Sequence, residues 1–337
     1  MTNDAVSIAA EEQAYVQRRR SSAAGWGRRV GFELGQALLV AFVVVTVSFL
    51  LVRLIPGDPA QAVLGPRANP QAVAALRQEM RIDQPLVAGY VDYLGALLRG
   101  DLGTSIVQSD QSVSSIVGRT LPVTLQLVLA TMILSLCVGI PVGLLAALTR
   151  RGSVDHGTRI GLVILLATPP FFLGLLLILA FSLRWPVFPA GGWAGSWPEN
   201  FRYLVLPAVA MSAFLMPQIA RTVRQVAQDT ARQDFIEAAL ARGMSRRTVV
   251  LRHILPNSLL PVITLLGLNM GALIAGAVVV EAVFGMPGIG SQLVQSVSQR
   301  DYPVIQGIAV VSALFVVLSN ASADALYVIA DPRTRRG

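Results

Sequence analysis

The chain has 337 residues, 54% hydrophobic and only 14% charged, whereas a soluble domain carries about 25% charged residues; with a mean hydropathy of +0.62, it is expected to be an all-α, polytopic integral membrane protein. All 27 basic residues are arginine, which excludes a P-loop lysine, a Schiff-base lysine and any other lysine-dependent chemistry. The formal charge of +8 points in such a chain to loops on the cytoplasmic side, and no nucleic-acid partner is expected.

Residues 1–33 read as a cytoplasmic extension carrying Arg18, Arg19, Arg20, Arg28 and Arg29. Six apolar runs follow at 34–55, 121–148, 160–183, 203–223, 258–281 and 304–328, each near the roughly 20 residues a bilayer crossing needs. No small-residue cleavage site closes the first run before RLIPGDP, so it is expected to stay as a signal anchor. An even number of spans returns the tail, 332–337, to the cytoplasm.

The segment 56–120, expected outside, is nearly neutral, with five arginines against six acids. Within it Val73, Leu76 and Met80 keep helical spacing, and after Pro85 the pattern restarts with Val87, Tyr90, Tyr93, Leu94 and Leu97. Two short amphipathic helices on or near the outer face are predicted, packed on the membrane domain or offering a docking surface. In the second run Gly139 and Gly143 form a GxxxG pair, the signature of closely packed helices. Cys137, the only cysteine, lies there too, so neither an intrachain disulfide nor a thiolate metal cluster is available. The 149–159 loop sets Arg150, Arg151 and Arg159 against Asp155.

Residues 221–257 hold seven arginines against three acids, again a cytoplasmic signature. From Gln233 to Arg242 every residue tolerates a helix, with Ile236 and Leu240 one turn apart and Ala238, Ala239 and Ala241 keeping the surface low. Gly243 suits the left-handed position that ends helices. Ser245 can cap a second helix over 246–255, whose continuation Pro256 should limit. Helix, elbow, helix makes either a docking surface or a positively charged loop that happens to be helical; spacing leaves both open. Farther on, four breakers between Gly285 and Gly290 precede an apolar stripe of Ile289, Leu293, Val294 and Val297, predicting a short lateral or re-entrant helix. Asn269 and Asn320 are polar groups within runs that could line a path or bond between helices. His156 and His253 lie in loops without clustered Cys, Asp or Glu, so no metal site and no catalytic residue is expected. Asp324 is the only acid inside a run other than Glu281 at an end; an ion-coupled secondary transporter, which places carboxylates near the bilayer midplane, is the distant alternative.

Several stretches together carry a family resemblance. Glu237-Ala238-Ala239, then Gly243, then Ile254-Leu255-Pro256 resemble the EAA loop of ABC importer membrane subunits, with His253 where that pattern has isoleucine. FLLVRLIPGDPA, RIDQPL, GDLGTSI, RTLPVTLQL, FGMPGIGSQLVQSV, RDYPVIQG and the terminal DPRTRRG occur in the order seen in permeases of dipeptide and oligopeptide importers. Arg81-Ile82 departs from the more usual Gly-Leu. The resemblance implies a type I ABC importer fold over residues 34–331 and a place in the bacterial inner membrane. It implies a second, similar permease as heterodimer partner, two ATPase domains or subunits, an extracytoplasmic substrate-binding protein and surrounding lipid. This chain would bind no cofactor; ATP and Mg would be used by the ATPases. The coupling loop, 224–257, would engage them through Asp234, Ile236, Glu237, Ala238, Ala239, Leu240, Gly243 and Met244, and Asn269 and Asn320 are candidates for the translocation path. Peptides are the implied substrates, with nickel, glutathione or another small solute as alternatives.

Overall fold

A computed structural model describes residues 35–36, 38–50, 59–65, 68–79, 84–108, 111–149 and 152–330. The extension 1–33, residues 53–58 of RLIPGDP, Arg81-Ile82, Arg150-Arg151 and the tail lie outside these residues. Helices dominate: α1 (Leu38–Leu50), α2 (Pro59–Leu64), α3 (Pro70–Glu79), α4 (Leu86–Leu98), α5 (Val113–Leu148), α6 (Gly152–Ala167), α7 (Pro170–Ile178), α8 (Asn200–Ala231), α9 (Asp234–Ala241), α10 (Arg246–Val249), α11 (Leu255–Phe284), α12 (Ile289–Gln299) and α13 (Tyr302–Ala330). Among the described residues four helical stretches are long and apolar enough to cross a membrane, and a fifth is reached if the bent pair, α6 and α7 with its extension, counts as one span. The first expected run, 34–55, is described as helix over Leu38–Leu50, with residues 51–55 outside the description.

The axis of the fold is the pair α5 and α8. Ser112 starts α5 by accepting a hydrogen bond from the Ser115 N–H at 3.2 Å. The helix then runs 36 residues, about 54 Å at 1.5 Å per residue, so the predicted span 121–148 is its apolar portion. Gly139 and Gly143 face α8 backbone to backbone: a Cβ at Gly143 would stand 2.5 Å from the Ala220 carbonyl oxygen, and one at Gly139 would stand 3.0 Å from that of Met216. The core grows from this contact through Leu127, Leu215, Ile219, Val223, Val262 and Phe284. It is an interior of van der Waals packing, as expected where lipid tails are as apolar as the side chains.

Two smaller clusters close the opposite ends of α5. At its start, Val113, Ile116 and Val117 pack with Ile289 of α12 and with Val304 and Ile308 of α13. Toward its finish, Leu144 and Ala147 support Ala227 of α8, Ile236 and Ala239 of α9, and Val249 and Ile254. On the flank, α4 lies along α1: the Tyr90 and Thr46 hydroxyls are 2.6 Å apart, and Phe49 stacks on Tyr93 at 5.6 Å between ring centroids. The two predicted helices of 70–98 thus form, separated near Pro85, and the second is packed on the membrane domain.

The run 160–183 departs from expectation. It is two helices meeting at 97°, because Pro169 and Pro170 both lack the N–H that a continuous helix would need and Thr168, before them, is driven from helical backbone. Pro169 is extended (ψ 136°) and starts α7, while the Thr168 hydroxyl turns back to donate to the Ile164 carbonyl at 2.8 Å. Beyond α7 a π-helical turn, Leu179–Arg184, completes the arm.

Gly143→Ala should separate α5 from α8 and lower stability by about 1–3 kcal/mol, the usual range for overpacking. Gly118→Ala, with nothing within 4 Å of its added Cβ, should raise stability by about 0.5–1 kcal/mol, the helix-propensity gain of alanine over glycine. Thermal melting of the detergent-solubilised protein compares the two, and equal melting points would contradict the α5–α8 contact.

Candidate functional site: the α9 elbow

Beyond Ala231 the chain leaves α8, takes an extended residue at Gln233 (ψ 145°) and re-enters helix at Asp234. Asp234 and Glu237 occupy the first turn of α9, where negative charge complements the helix dipole. The far end closes by a Schellman motif: the Met244 N–H donates to the Ala239 carbonyl at 3.2 Å and the Gly243 N–H to that of Leu240 at 2.9 Å. Gly243 has φ +84°, a conformation that a side chain disfavours. Ser245 then caps α10, its hydroxyl accepting from the Thr248 N–H at 3.2 Å.

Pro256 does not end the second helix as expected. Residues 246–284 run as one helical stretch, because Val250–Ile254 widen into a π-helical turn in which the Leu255 N–H reaches back to the Val250 carbonyl. The ladder is thereby reset just before Pro256, which falls in the first turn of α11, where a missing N–H costs little.

The sequence-predicted residues divide between two faces. Ile236 and Ala239 are buried at 3% and 7% exposure, and Met244 is half-buried beside them. They hold α9 to the ends of α5 and α8. Asp234, Glu237, Ala238, Leu240 and Gly243 are exposed. Ala239, whose small size suggested a docking surface, therefore serves the close approach of α9 to its own subunit. Phe235 was not singled out from the sequence, yet it is 44% exposed, much as Leu240 is at 42%. Its ring meets His253 edge-on at 6.1 Å. An aromatic residue left in the open on a charged loop was the signal that could have found it. The result is a short helix fixed along Ile236 and Ala239, with Phe235 and Leu240 exposed on the two flanks of that buried stripe and Asp234, Glu237 and Ala238 outward.

The two path candidates are not joined. The Asn269 amide donates to its own helix at the Leu265 carbonyl, 2.8 Å away, and Asn320 is exposed on α13; no hydrogen bond links them among the described residues. No group of three or more His, Cys, Asp and Glu able to hold a metal occurs among the described residues.

Comparison with known proteins places the chain as a whole. Residues 139–336 match the family described as the binding-protein-dependent transport system inner membrane component, and residues 30–128 match the N-terminal family of the same systems. The chain belongs to this family. The oligopeptide transport system permease protein AppB of Bacillus subtilis is 38% identical over 85% of this chain and 92% of its own length. The glutathione transport system permease protein GsiC of Salmonella choleraesuis is 38% identical over 87% and 94%. The inward-facing MetNI methionine ABC transporter superposes with a TM-score of 0.53 at 19% identity, covering 65% of this chain and 97% of that one. The fold is thus that of an ABC importer permease, all-α and multi-pass in the inner membrane, as the sequence motifs led one to expect.

Gly243→Val should strain the elbow by about 1–2 kcal/mol, the cost of left-handed backbone for a residue bearing a Cβ; Gly243→Asn should lose less. Hydrogen exchange of residues 239–248 should quicken in that order while α5 and α8 stay protected. Unchanged protection in Gly243→Val would show that the elbow does not depend on glycine.

Proposed function

We propose that this chain is one permease half of an ATP-driven importer of di- or oligopeptides, and that α9 is the element its ATPase partners grip. The observation that carries the reading is the division of α9: Ile236 and Ala239 lock it to α5 and α8, while Phe235, Ala238 and Leu240 remain open. Large apolar side chains left open on both flanks of a short, charged helix suit a partner that grips the helix from its two sides.

In this reading a second, similar permease completes the path, two ATPase domains bind at the α9 end, and a substrate-binding protein delivers peptide at the α12 end. The ATPases use ATP and Mg; this chain, without lysine, holds no ATPase site and no cofactor. Closure of the ATPase pair, favoured because ATP binds the closed state more tightly, would carry α9 with it. Through Ile236 and Ala239 that movement would reach α5 and α8 and exchange access between the two faces. Peptide specificity is supported by the relatedness to AppB, and the relatedness to GsiC keeps glutathione as the second reading. Asn269 and Asn320 are retained as path candidates. The permease domain is placed at 34–331, between the extension 1–33 and the tail 332–337, with both termini cytoplasmic; the arginine-rich 221–257 segment supports that orientation.

Phe235→Asp and Leu240→Asp should leave the subunit inserted but reduce co-purification of the ATPases and peptide uptake in reconstituted vesicles by about tenfold or more, as loss of an apolar anchor at an interface does. Full uptake by both, with the ATPases retained, would refute the assignment of α9. Mass spectrometry of what co-purifies with the cognate binding protein separates peptide from glutathione.

Orientation is checked separately with single cysteines at the exposed positions Asp92 and Asp229, in a Cys137→Ser background. An impermeant thiol reagent should label them from opposite sides, and labelling of both from one side contradicts the topology.

A further inference from the structure

Among the described residues two carboxylates have no exposure, Glu281 and Asp301, and they stand at the two ends of α12. Glu281 belongs to the last turn of α11 and reaches over the turn that follows. Its Oε2 accepts from the N–H groups of Gly290 at 2.7 Å and Ser291 at 3.2 Å. Its Oε1 accepts from the Thr124 hydroxyl of α5 at 2.5 Å, and the Thr124 Oγ1 itself accepts from the Ile289 N–H at 2.9 Å. The first three N–H groups of α12 are therefore satisfied by side chains of two other helices. Gly288 and Gly290 make this possible, since a Cβ at either would run into the Glu281 carboxylate.

At the far end, Asp301 accepts from the Ser105 hydroxyl and from the Ile106 N–H at 3.4 Å, and Ser105 Oγ in turn accepts from the N–H groups of Val107 and Gln108. Between the two anchors lies the cluster of Val113, Ile116, Ile289, Val304 and Ile308.

An ordinary helix is capped from its own N-cap side chain. Here the N-cap is Gly288, which has none, and the cap comes from α11 and α5 instead. A local cap would stabilise α12 alone, whereas this one ties α12 to its neighbours. Sliding α12 away would strip a buried carboxylate of its donors, a costly change in a dry interior.

We infer that Glu281, with Thr124, is a positioning residue of the transport cycle: it fixes α12 to α5 and α11 so that this end of the bundle moves as one piece. The inference rests on the importer reading above. Movement introduced at α9 then reaches the opposite end through α5 undiminished, and α12 opens with the bundle instead of peeling from it.

The test uses the complete complex of this chain with its partner permease, ATPases and binding protein, reconstituted in vesicles, with Glu281→Ala, Thr124→Val and Thr124→Ser. Each is also placed on Ser296→Cys in a Cys137→Ser background, position 296 being fully buried on α12. In Glu281→Ala and Thr124→Val, labelling of position 296 by an impermeant maleimide should quicken roughly tenfold and peptide taken up per ATP hydrolysed should fall by a similar factor, the scale of a lost hydrogen bond to a charged group. ATPase co-purification should hold, and Thr124→Ser, which keeps the hydroxyl, should restore both readouts. Should Glu281→Ala fail to insert, Thr124→Val decides alone. Unchanged labelling, with or without a loss of uptake, overturns the positioning role, as does faster labelling with uptake per ATP intact. A wild-type complex that takes up no peptide overturns the importer reading instead, and the labelling still decides whether Glu281 holds α12.

Discussion

Everything in this fold hangs on the backbone contact between α5 and α8. In a bilayer the hydrophobic effect does not distinguish a helix partner from lipid, so association depends on how closely surfaces approach. Gly139 and Gly143 let α5 lie against the carbonyls of Met216 and Ala220, and both end clusters are built on the helix so placed. One contains Val113 and Ile116 from its start; the other is supported by Leu144 and Ala147 near its finish. Position at α9 and position at α12 are thus two consequences of one contact.

The second constraint is the backbone's own need for partners where water is absent. Proline is the recurrent offender, and the chain answers it in three ways. Pro169 and Pro170 are met by breaking the helix outright, with the Thr168 N–H and hydroxyl both donating back to the Ile164 carbonyl at the end of α6. Pro256 is met by a π-helical turn that resets the ladder before it. Pro217 stays within an unbroken α8, whose neighbouring helices hold it in place. The same need explains α12: a helix beginning at a glycine, away from water, must borrow acceptors, and it borrows them from Glu281 and Thr124.

What could be read from the sequence was what is locally determined. The elbow is such a case, since Gly243, Ser245 and the residues between them carry their own turn chemistry, and the Schellman motif forms where glycine stands. The GxxxG pair was legible for the same reason. The bend at Pro169-Pro170 was equally local but was masked by reading hydropathy, which counts apolar residues without asking which of them can donate. Two other features were not legible at all. Ile236 and Ala239 could have faced either way, because the choice between a subunit's own core and a partner depends on where α8 ends. The pairs Glu281 with Thr124 and Asp301 with Ser105 join residues 157 and 196 positions apart, and no periodicity links such distances. Their family motifs marked these stretches without saying that GDLGTSI meets RDYP, or that RTLPVTLQL meets FGMPGIG.

The two ends are built on opposite principles, and the difference fits the work proposed for each. At α9 the inward residues are apolar, Ile236, Ala239 and Met244, and the fixing is by packing, which is non-directional and tolerates small shifts of a helix under load. At α12 it is by hydrogen bonds to buried carboxylates, which are directional and weaken steeply when misaligned. A surface that must accept a push from a partner is better backed by apolar contact, since packing yields by a fraction of an ångström without losing a bond. An end that must keep its shape while the bundle rotates is better held by directional hydrogen bonds to buried carboxyl groups, because displacement weakens those bonds where no water stands ready to replace them. With buried carboxylates at the α12 end and, among the described residues, only exposed ones at the α9 end, the proposed cycle would use α5 as a lever with a compliant grip at α9 and a rigid head at α12.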